Sequence, residues 1–411
     1  MYLPSLDAGA PSIDGGIWSI NLTSESRFSE KSETIMALHI TDAFDSGNIE
    51  VLDAADPGRI RLEIRKDNGS DFYQWFHFRV TGAMGEQLSM AIENAGGAAY
   101  LEGWPDYRAC ASYDRETWFR VDTEYADGVL TLHHLAEADT VWFAYFAPFS
   151  MERHQDLIAS AQLHHAVELE VLGETLDGQP IDLLTVGEAD SATRTIWVTA
   201  RQHPGETMAE WWMEGFLARL LDDDDPVARK LRGHAVFHIV PNMNPDGSKR
   251  GHLRTNAKGI NLNREWDKAS LENSPEVFHV LNRMRATGID LALDVHGDEA
   301  LPYNFIAGGE GAPNFDQRGQ DLLDGYKDAL CLASPDFQTE HGYDVDAPGT
   351  ANLSVCTNYL ANEFKCLAMT LEMPFKDNAD LPDPEYGWSP ERCRKLGAAN
   401  LDAMLALVTE L

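Results

Sequence analysis

Near Pro148 the spacing of apolar residues in this 411-residue chain changes its period, and that change limits the folds open to it. Before it, apolar side chains alternate with others. Phe76, Phe78 and Val80 flank His77 and Arg79, and Leu88, Met90 and Ile92 flank Ser89 and Ala91. Phe119, Val121, Thr123 and Tyr125 repeat the pattern, and Thr140 to Phe146 is an aromatic and β-branched run. A period of two belongs to strands with one buried face, and turns such as Ala126-Asp127-Gly128 reverse the chain between them. Residues 1–149 are therefore expected to form an antiparallel β-sandwich domain.

Residues 150–411 follow a different grammar. Ser150 is placed to cap a helix from Met151 to about Gln162. A hairpin is expected from Val167 to Leu172 and Ile181 to Val186, turning at Asp177-Gly178. Short apolar strands follow at Thr195 to Thr199, Ala235 to Val240, Ile289 to Val295 and Leu367 to Leu371. Helices are expected at Thr207 to Leu221 and Pro390 to Leu411, and Asp222 to Asp225 reads as a solvated loop able to cap the next helix. This alternation predicts an α/β domain with a parallel or mixed central sheet.

Composition narrows the function classes. A formal charge of −35 argues against nucleic acid as a partner, because a phosphate backbone would be repelled. No stretch approaches the roughly 20 apolar residues of a membrane helix, and the N-terminus lacks the basic start and apolar run of a secretory signal. The expected compartment is the cytoplasm, with no membrane partner. Five widely spaced cysteines without a CxxC pair read as free thiols. Neither GxSxG nor HExxH occurs.

The chemistry is concentrated at strand ends. His203-Pro204-Gly205-Glu206 lies between a predicted strand and a predicted helix, where ligands gather in open α/β sheets. An imidazole and a carboxylate three residues apart on a tight turn can share one metal ion and suit zinc, although an isolated HxxE often arises by chance. A catalytic zinc needs a third protein ligand, and His296, following Leu291 to Val295 and preceding Gly297, occupies an equivalent setting. Glu372, closing the run Leu367 to Leu371, is a candidate general base; its bland reading is a first solvated position. Asn242 to Gly247 reads as a turn-rich loop. Arg254, Asn263 and Arg264 are candidate anion donors, each of them taken singly more simply a solvated loop residue.

Taken together, His203-Pro204-Gly205-Glu206, Asn244-Pro245-Asp246-Gly247, Arg254 with Asn261-Leu262-Asn263-Arg264-Glu265-Trp266, Asp294-Val295-His296-Gly297 and Thr370-Leu371-Glu372 resemble, in this order, the zinc carboxypeptidase family of carboxypeptidases A and B. The match is most similar to its cytosolic carboxypeptidase branch, whose members carry a β-sandwich ahead of the catalytic domain. Segments 75–80, 110–121 and 142–158 look like that branch's N-terminal domain and junction, so the resemblance runs from Tyr73 to Phe375. It implies one Zn2+ per chain held by His203, Glu206 and His296, and Glu372 as the general base. It further implies that Arg254 polarises the scissile carbonyl and that Asn263 and Arg264 bind the terminal carboxylate of a peptide or protein substrate. Asn261 stands where many members have an Asp behind the first zinc histidine. The tyrosine that closes over substrate has two candidates, Tyr343 and Tyr359. Removal of C-terminal Glu, an activity of the branch, would need a basic residue; none lies in 351–362, and nearby Lys365 reads as solvated. Two alternatives stand beside this reading: an N-acyl amino acid amidohydrolase of the aspartoacylase or desuccinylase type on the same fold, and a non-catalytic binding protein.

Overall fold

A computed structural model describes residues 38–188 and 193–411. The first 37 residues of the expected sandwich lie outside the described residues. Among the described residues, ten strands make up the first half: β1 His39–Thr41, β2 Glu50–Asp53, β3 Ile60–Glu63, β4 His77–Thr81, β5 Gln87–Ile92, β6 Cys110–Ser112, β7 Phe119–Arg120, β8 Asp122–Ala126, β9 Val129–Leu135 and β10 Thr140–Ala144. They form two five-stranded sheets, β1-β4-β10-β6-β7 and β2-β3-β5-β9-β8. Pairing is antiparallel except between β3 and β5. The alternation does what its period dictates. Phe78, Val80, Leu88, Met90 and Ile92 are fully buried between the sheets, each removal from water being worth roughly 1.5–3 kcal/mol. One expected strand is divided: at buried Val121 the chain leaves one sheet and enters the other, so Phe119 and Tyr125 serve different sheets.

Among its described residues, the second half carries seven strands in one sheet: β11 Val167–Glu174, β12 Pro180–Val186, β13 Arg194–Ala200, β14 Ala235–Val240, β15 Leu291–Asp298, β16 Phe305–Gly308 and β17 Leu367–Pro374. Their order is β11-β12-β14-β13-β15-β17-β16, mixed in direction, with β14, β13, β15 and β17 mutually parallel at the centre. Every residue of β14 and β17 is buried, as expected of parallel strands covered on both faces.

Among the described residues, eight α-helices surround this sheet: α1 Met151–Ala161, α2 Met208–Leu220, α3 Pro226–Arg232, α4 Pro245–Arg250, α5 Pro275–Thr287, α6 Gln317–Ala333, α7 Cys356–Phe364 and α8 Pro390–Leu407. The Ser150 hydroxyl caps α1 by accepting from the Arg153 N–H at 3.1 Å, and Asp225 caps α3 from the Ala228 N–H at 2.8 Å. The expected loop Asn242 to Gly247 instead opens α4, because the Asn244 side chain accepts from the Gly247 N–H at 3.0 Å and Pro245 supplies a helical first position. Helices α2 and α8 meet closely: a Cβ on Gly215 would lie 2.1 Å from the Arg394 carbonyl oxygen, and one on Gly397 equally near that of Trp212.

The two halves share a core, and the described residues form one compact unit. Tyr145 stacks on Phe375 with centroids 4.6 Å apart. Buried Arg120 donates across the junction to the carbonyls of Phe375 (2.9 Å), Lys376 (2.8 Å), Tyr386 (3.2 Å) and Trp388 (3.0 Å). Such saturation is what a buried guanidinium requires. All five cysteines are free, and no helix among the described residues is long and apolar enough to cross a membrane.

Candidate active site

The loop after β13 is shaped from inside the protein. Arg201 adopts a left-handed backbone (φ 57°) and turns its buried guanidinium back under the loop, donating through Nε to the Pro204 carbonyl at 2.9 Å. Its Nη1 donates to the Phe149 carbonyl at 2.8 Å and to the Glu210 carboxylate. Glu210 also accepts from Asn242 at 2.9 Å and lies 2.8 Å from His154 Nδ1. Burial pulls the His154 pKa down, but Glu210 and Asp182 outweigh it and raise it to about 9. Asn244 donates to the Gln202 carbonyl at 3.0 Å, so the start of α4 holds the same loop from its other flank.

This loop presents His203 and Glu206, and β15 presents His296; all three are buried. His203 Nδ1 and His296 Nδ1 each lie 2.7 Å from one oxygen of Glu206, and 3.2 Å from each other. Ligand atoms around a tetrahedral zinc, with bonds near 2.0–2.1 Å, are about 3.3 Å apart. The distal ring nitrogens are occupied: His203 Nε2 is 3.1 Å from Asn261 Oδ1, and His296 Nε2 is 2.8 Å from Asp294 Oδ2. That leaves Nδ1 of each ring facing the gap, the arrangement of metal-binding histidines with hydrogen-bonded outer nitrogens. Burial and the Arg254 charge lower the His203 pKa to about 4, so its ring is neutral. The residues present fit a divalent cation of zinc type. A surface grouping of His164, His165 and Asp223 is different. There the Ala166 N–H donates to His164 Nδ1 at 3.2 Å, which leaves Nε2 as the protonated nitrogen, hydrogen-bonded to Asp223 at 3.3 Å.

His296 and Glu372 were expected just beyond their strands. Both lie within them instead, because β15 and β17 continue pairing through Asp298 and Pro374, and the two residues are direct partners in register. The pleat turns alternate side chains to one face. Asp294 and His296 therefore point the same way, and so does Thr370 with Glu372. Asp294 is itself fixed, accepting from Thr199 Oγ1 at 2.8 Å and from Gln202, whose Oε1 accepts from the Trp266 indole at 3.0 Å. Glu372 is buried rather than solvated. Its Oε1 lies 3.2 Å from the Tyr343 hydroxyl, while Oε2 has no hydrogen-bond partner. Burial, with the nearby Glu206, Asp298 and Glu299 charges, raises its pKa despite the opposing influence of His296; a cation at the triad acts in the opposite sense.

A cleft of about 610 Å3 opens over these groups, lined also by Arg254, Asn263, Arg264, Tyr100, Tyr343 and Lys327. The Asn263 side-chain oxygen accepts from the Cys356 N–H at 2.8 Å, which fixes the amide so that its NH2 is available to an anion. Arg264 is exposed. Of the two tyrosines, Tyr343 is the one in the cleft, where its hydroxyl donates to Asp298 at 2.6 Å; the Tyr359 hydroxyl accepts from Arg285 at 2.8 Å and lines no part of it. Lys365 caps α7 and is exposed. Lys327 on α6 does line the cleft, 3.7 Å from Glu310.

Sequence reasoning missed Asp294, Tyr100, Lys327 and Asp67, whose carboxylate holds the backbone of the Arg254 segment from the sandwich side. Only Asp294 had a legible signal, its spacing of two from His296 on one strand.

Comparison with known proteins identifies relatives over most of the chain. Residues 40–146 match the cytosolic carboxypeptidase N-terminal domain and residues 155–392 the zinc carboxypeptidase family. An uncharacterized protein of Zymomonas mobilis is 54% identical over 92% of this chain and 98% of its own length. The metallo-carboxypeptidase of Pseudomonas aeruginosa, solved in complex with (2-guanidinoethylmercapto)succinic acid, is 46% identical and superposes with a TM-score of 0.88, covering 90% of this chain and 99% of that one. Cytosolic carboxypeptidase-like protein 5 of Danio rerio is 28% identical over 51% of this chain, which spans 31% of that protein's length. With both family matches falling on either side of the junction at Pro148, the chain belongs to the zinc carboxypeptidase family and carries, ahead of the catalytic part, the N-terminal domain of its cytosolic carboxypeptidase branch.

Proposed function

We propose that this chain is a zinc-dependent carboxypeptidase that removes single amino acids from the C-termini of peptides or proteins. The convergence of His203 Nδ1, His296 Nδ1 and both Glu206 oxygens within 2.7–3.2 Å of one another carries the reading. His203, Glu206 and His296 would hold one Zn2+, which would supply Lewis acidity for the scissile carbonyl and for a water near neutral pH. Glu372 receives the attacking water's proton on Oε2, the oxygen left without a partner, and returns it to the departing amine. Arg254, beside the triad, donates to the oxyanion as it forms. Asn263 and Arg264 bind the terminal carboxylate, a planar fork and a fixed amide together selecting chain ends. Tyr343 hydrogen-bonds near Glu372 and is placed to cover bound substrate. The division of labour follows the junction, with the sandwich up to residue 149 and the catalytic domain from residue 150.

Removal of C-terminal Glu draws support from Lys327, paired with Glu310 in the cleft. The complete set of chain-end groups beside the triad favours peptide ends over small N-acyl amino acids and over an inert pocket. Mass spectrometry of a peptide panel varied at the last residue, with zinc-loaded protein, tests the reading. Stepwise C-terminal loss, stopped by chelator and by C-terminal amidation, is expected. No trimming with zinc confirmed bound refutes it.

A further inference from the structure

The segment carrying Arg254 is held mainly by the sandwich. Asp67, buried in the loop between β3 and β4, accepts four hydrogen bonds from three consecutive residues of that segment. Its Oδ1 takes the Leu253 N–H at 2.7 Å. Its Oδ2 takes the Arg254 N–H at 2.9 Å, the Thr255 N–H at 2.9 Å and the Thr255 hydroxyl at 3.0 Å. Three backbone N–H groups turned onto one carboxylate fix the local backbone, and hydrogen bonds to a charged acceptor are the strong kind.

Around this clamp the sandwich adds further contacts. His252 Nε2 lies 2.7 Å from Asn68 Oδ1, and Asn48 donates to the Gly251 carbonyl at 3.0 Å. Gly259 sits so near the 68–69 backbone that a Cβ there would come 2.5 Å from the Gly69 carbonyl oxygen. The Arg254 guanidinium, in turn, lies over the rings of Phe72 (5.7 Å) and Tyr100 (5.3 Å), both from the sandwich. Tyr100 also lines the cleft, and its backbone is pinned by Gln74 through bonds of 2.8 and 3.0 Å.

The other face of the segment touches the metal-ligand loop. The Leu253 carbonyl accepts from the Gly205 N–H at 2.9 Å. Arg254 is thus suspended between the ligand loop and one sandwich carboxylate. An arginine that stabilises developing charge must be in place before the reaction, since moving into place during it would cost the energy it supplies.

We propose that Asp67 is a positioning residue for Arg254, so that the sandwich is part of the catalytic apparatus and not only a flank beside the cleft. The inference rests on the role given to Arg254 above. Asp67 acts through the backbone of 253–255 and touches no substrate; Phe72 and Tyr100 orient the guanidinium once that backbone is set.

The test is a double-mutant cycle on the full chain with zinc, measuring kcat and KM on a trimmed peptide, zinc content and thermal midpoint. Asp67→Asn puts an NH2 or a neutral oxygen against the donors. It is expected to lower kcat by about tenfold to a hundredfold, the range for a catalytic group misplaced by about 1 Å. KM should stay within about threefold and zinc stoichiometric, because Asn263, Arg264 and the triad are untouched. In an Arg254→Ala background the same substitution should cost less than about twofold, since the group it positions is gone. Thr255→Val, which deletes only the hydroxyl bond, keeps the test alive if Asp67→Asn does not fold. It should show a smaller kcat loss that likewise vanishes with Arg254→Ala. Multiplying losses in either cycle, or a wild-type kcat in Asp67→Asn, overturns the inference. An Arg254→Ala variant with unchanged kcat sinks instead the role assigned to Arg254.

Discussion

Glu276 offers a measurement of what the hydrophobic core imposes on a charge. It is the second residue of α5 and is completely buried. Its Oε1 has no partner outside the residue, and its Oε2 lies 3.4 Å from Asn256 Nδ2. Burial raises its pKa from 4.5 to about 8, with Asp246 and Asp177 adding to the effect and hydrogen bonds to its own backbone N–H and Asn256 opposing it. The folded protein therefore keeps a proton that the unfolded chain has already released between those values. The group's contribution to stability is complete below pH 4.5 and is lost as the pH rises through about 8. At about 1.4 kcal/mol per pH unit, the loss across that window is on the order of 5 kcal/mol. Glu276→Gln removes the titration while keeping shape and an oxygen for Asn256. Urea unfolding of both proteins, followed by tryptophan fluorescence at matched zinc, should give similar stabilities near about pH 5. By about pH 8.5 the variant should be the more stable by several kcal/mol. Taking the difference cancels effects of pH common to both chains, including those on the metal. A gap that does not change with pH would refute the reasoning, since it would mean that the carboxyl titrates in the folded state as it does in the unfolded one.

Three further outcomes are expected. Glu372→Gln should keep stoichiometric zinc by metal analysis and lower kcat by about 10²–10⁴-fold, the contribution typical of a positioned base; unchanged turnover would remove Glu372 from that role. His203→Ala should lose tight zinc after dialysis, and full retention would exclude it as a ligand. Gly215→Ala places a Cβ 2.1 Å from the Arg394 carbonyl oxygen, and should cost about 1–3 kcal/mol in urea unfolding as α2 and α8 are forced apart; an unaltered midpoint would show that the helices can separate freely.

What the sequence makes legible is local and periodic. The buried faces of β4, β5 and β10, the capped start of α1 and six of the second sheet's seven strands, all but β16, follow from spacing within ten or so residues. The triad is legible for a related reason, since each member sits where a parallel strand delivers its C-terminal end. The ends themselves are not legible. β15 and β17 outrun their apolar stretches because each is the other's partner, and pairing tolerates a His opposite a Glu once both are covered. The splitting of the run at Val121 between two sheets is invisible to period, which continues unbroken across it. Asp67 and Lys327 carry no signal at all. The first meets its donors 186 to 188 residues along the chain, and the second sits on an ordinary amphipathic helix. Between Tyr343 and Tyr359, only the three-dimensional structure separates the one that lines the cleft from the one carried on α7.

The position of β17 has a consequence for how the protein is made. This strand, residues 367 to 374, is the last of the sheet to leave the ribosome, yet it is inserted between β15 and β16, which precede it. Until it arrives, β15 has one bare edge carrying His296, and β16 has no neighbour in the sheet. A nascent chain can thus assemble all three candidate metal ligands while Glu372 is still unsynthesised, and only the final insertion brings the carboxylate alongside them. Joining of a late central strand is a long-range, slow event that leaves unpaired edges open to wrong partners meanwhile. Hydrolytic competence would then wait for the last strand of the sheet, after every candidate metal ligand has already been placed.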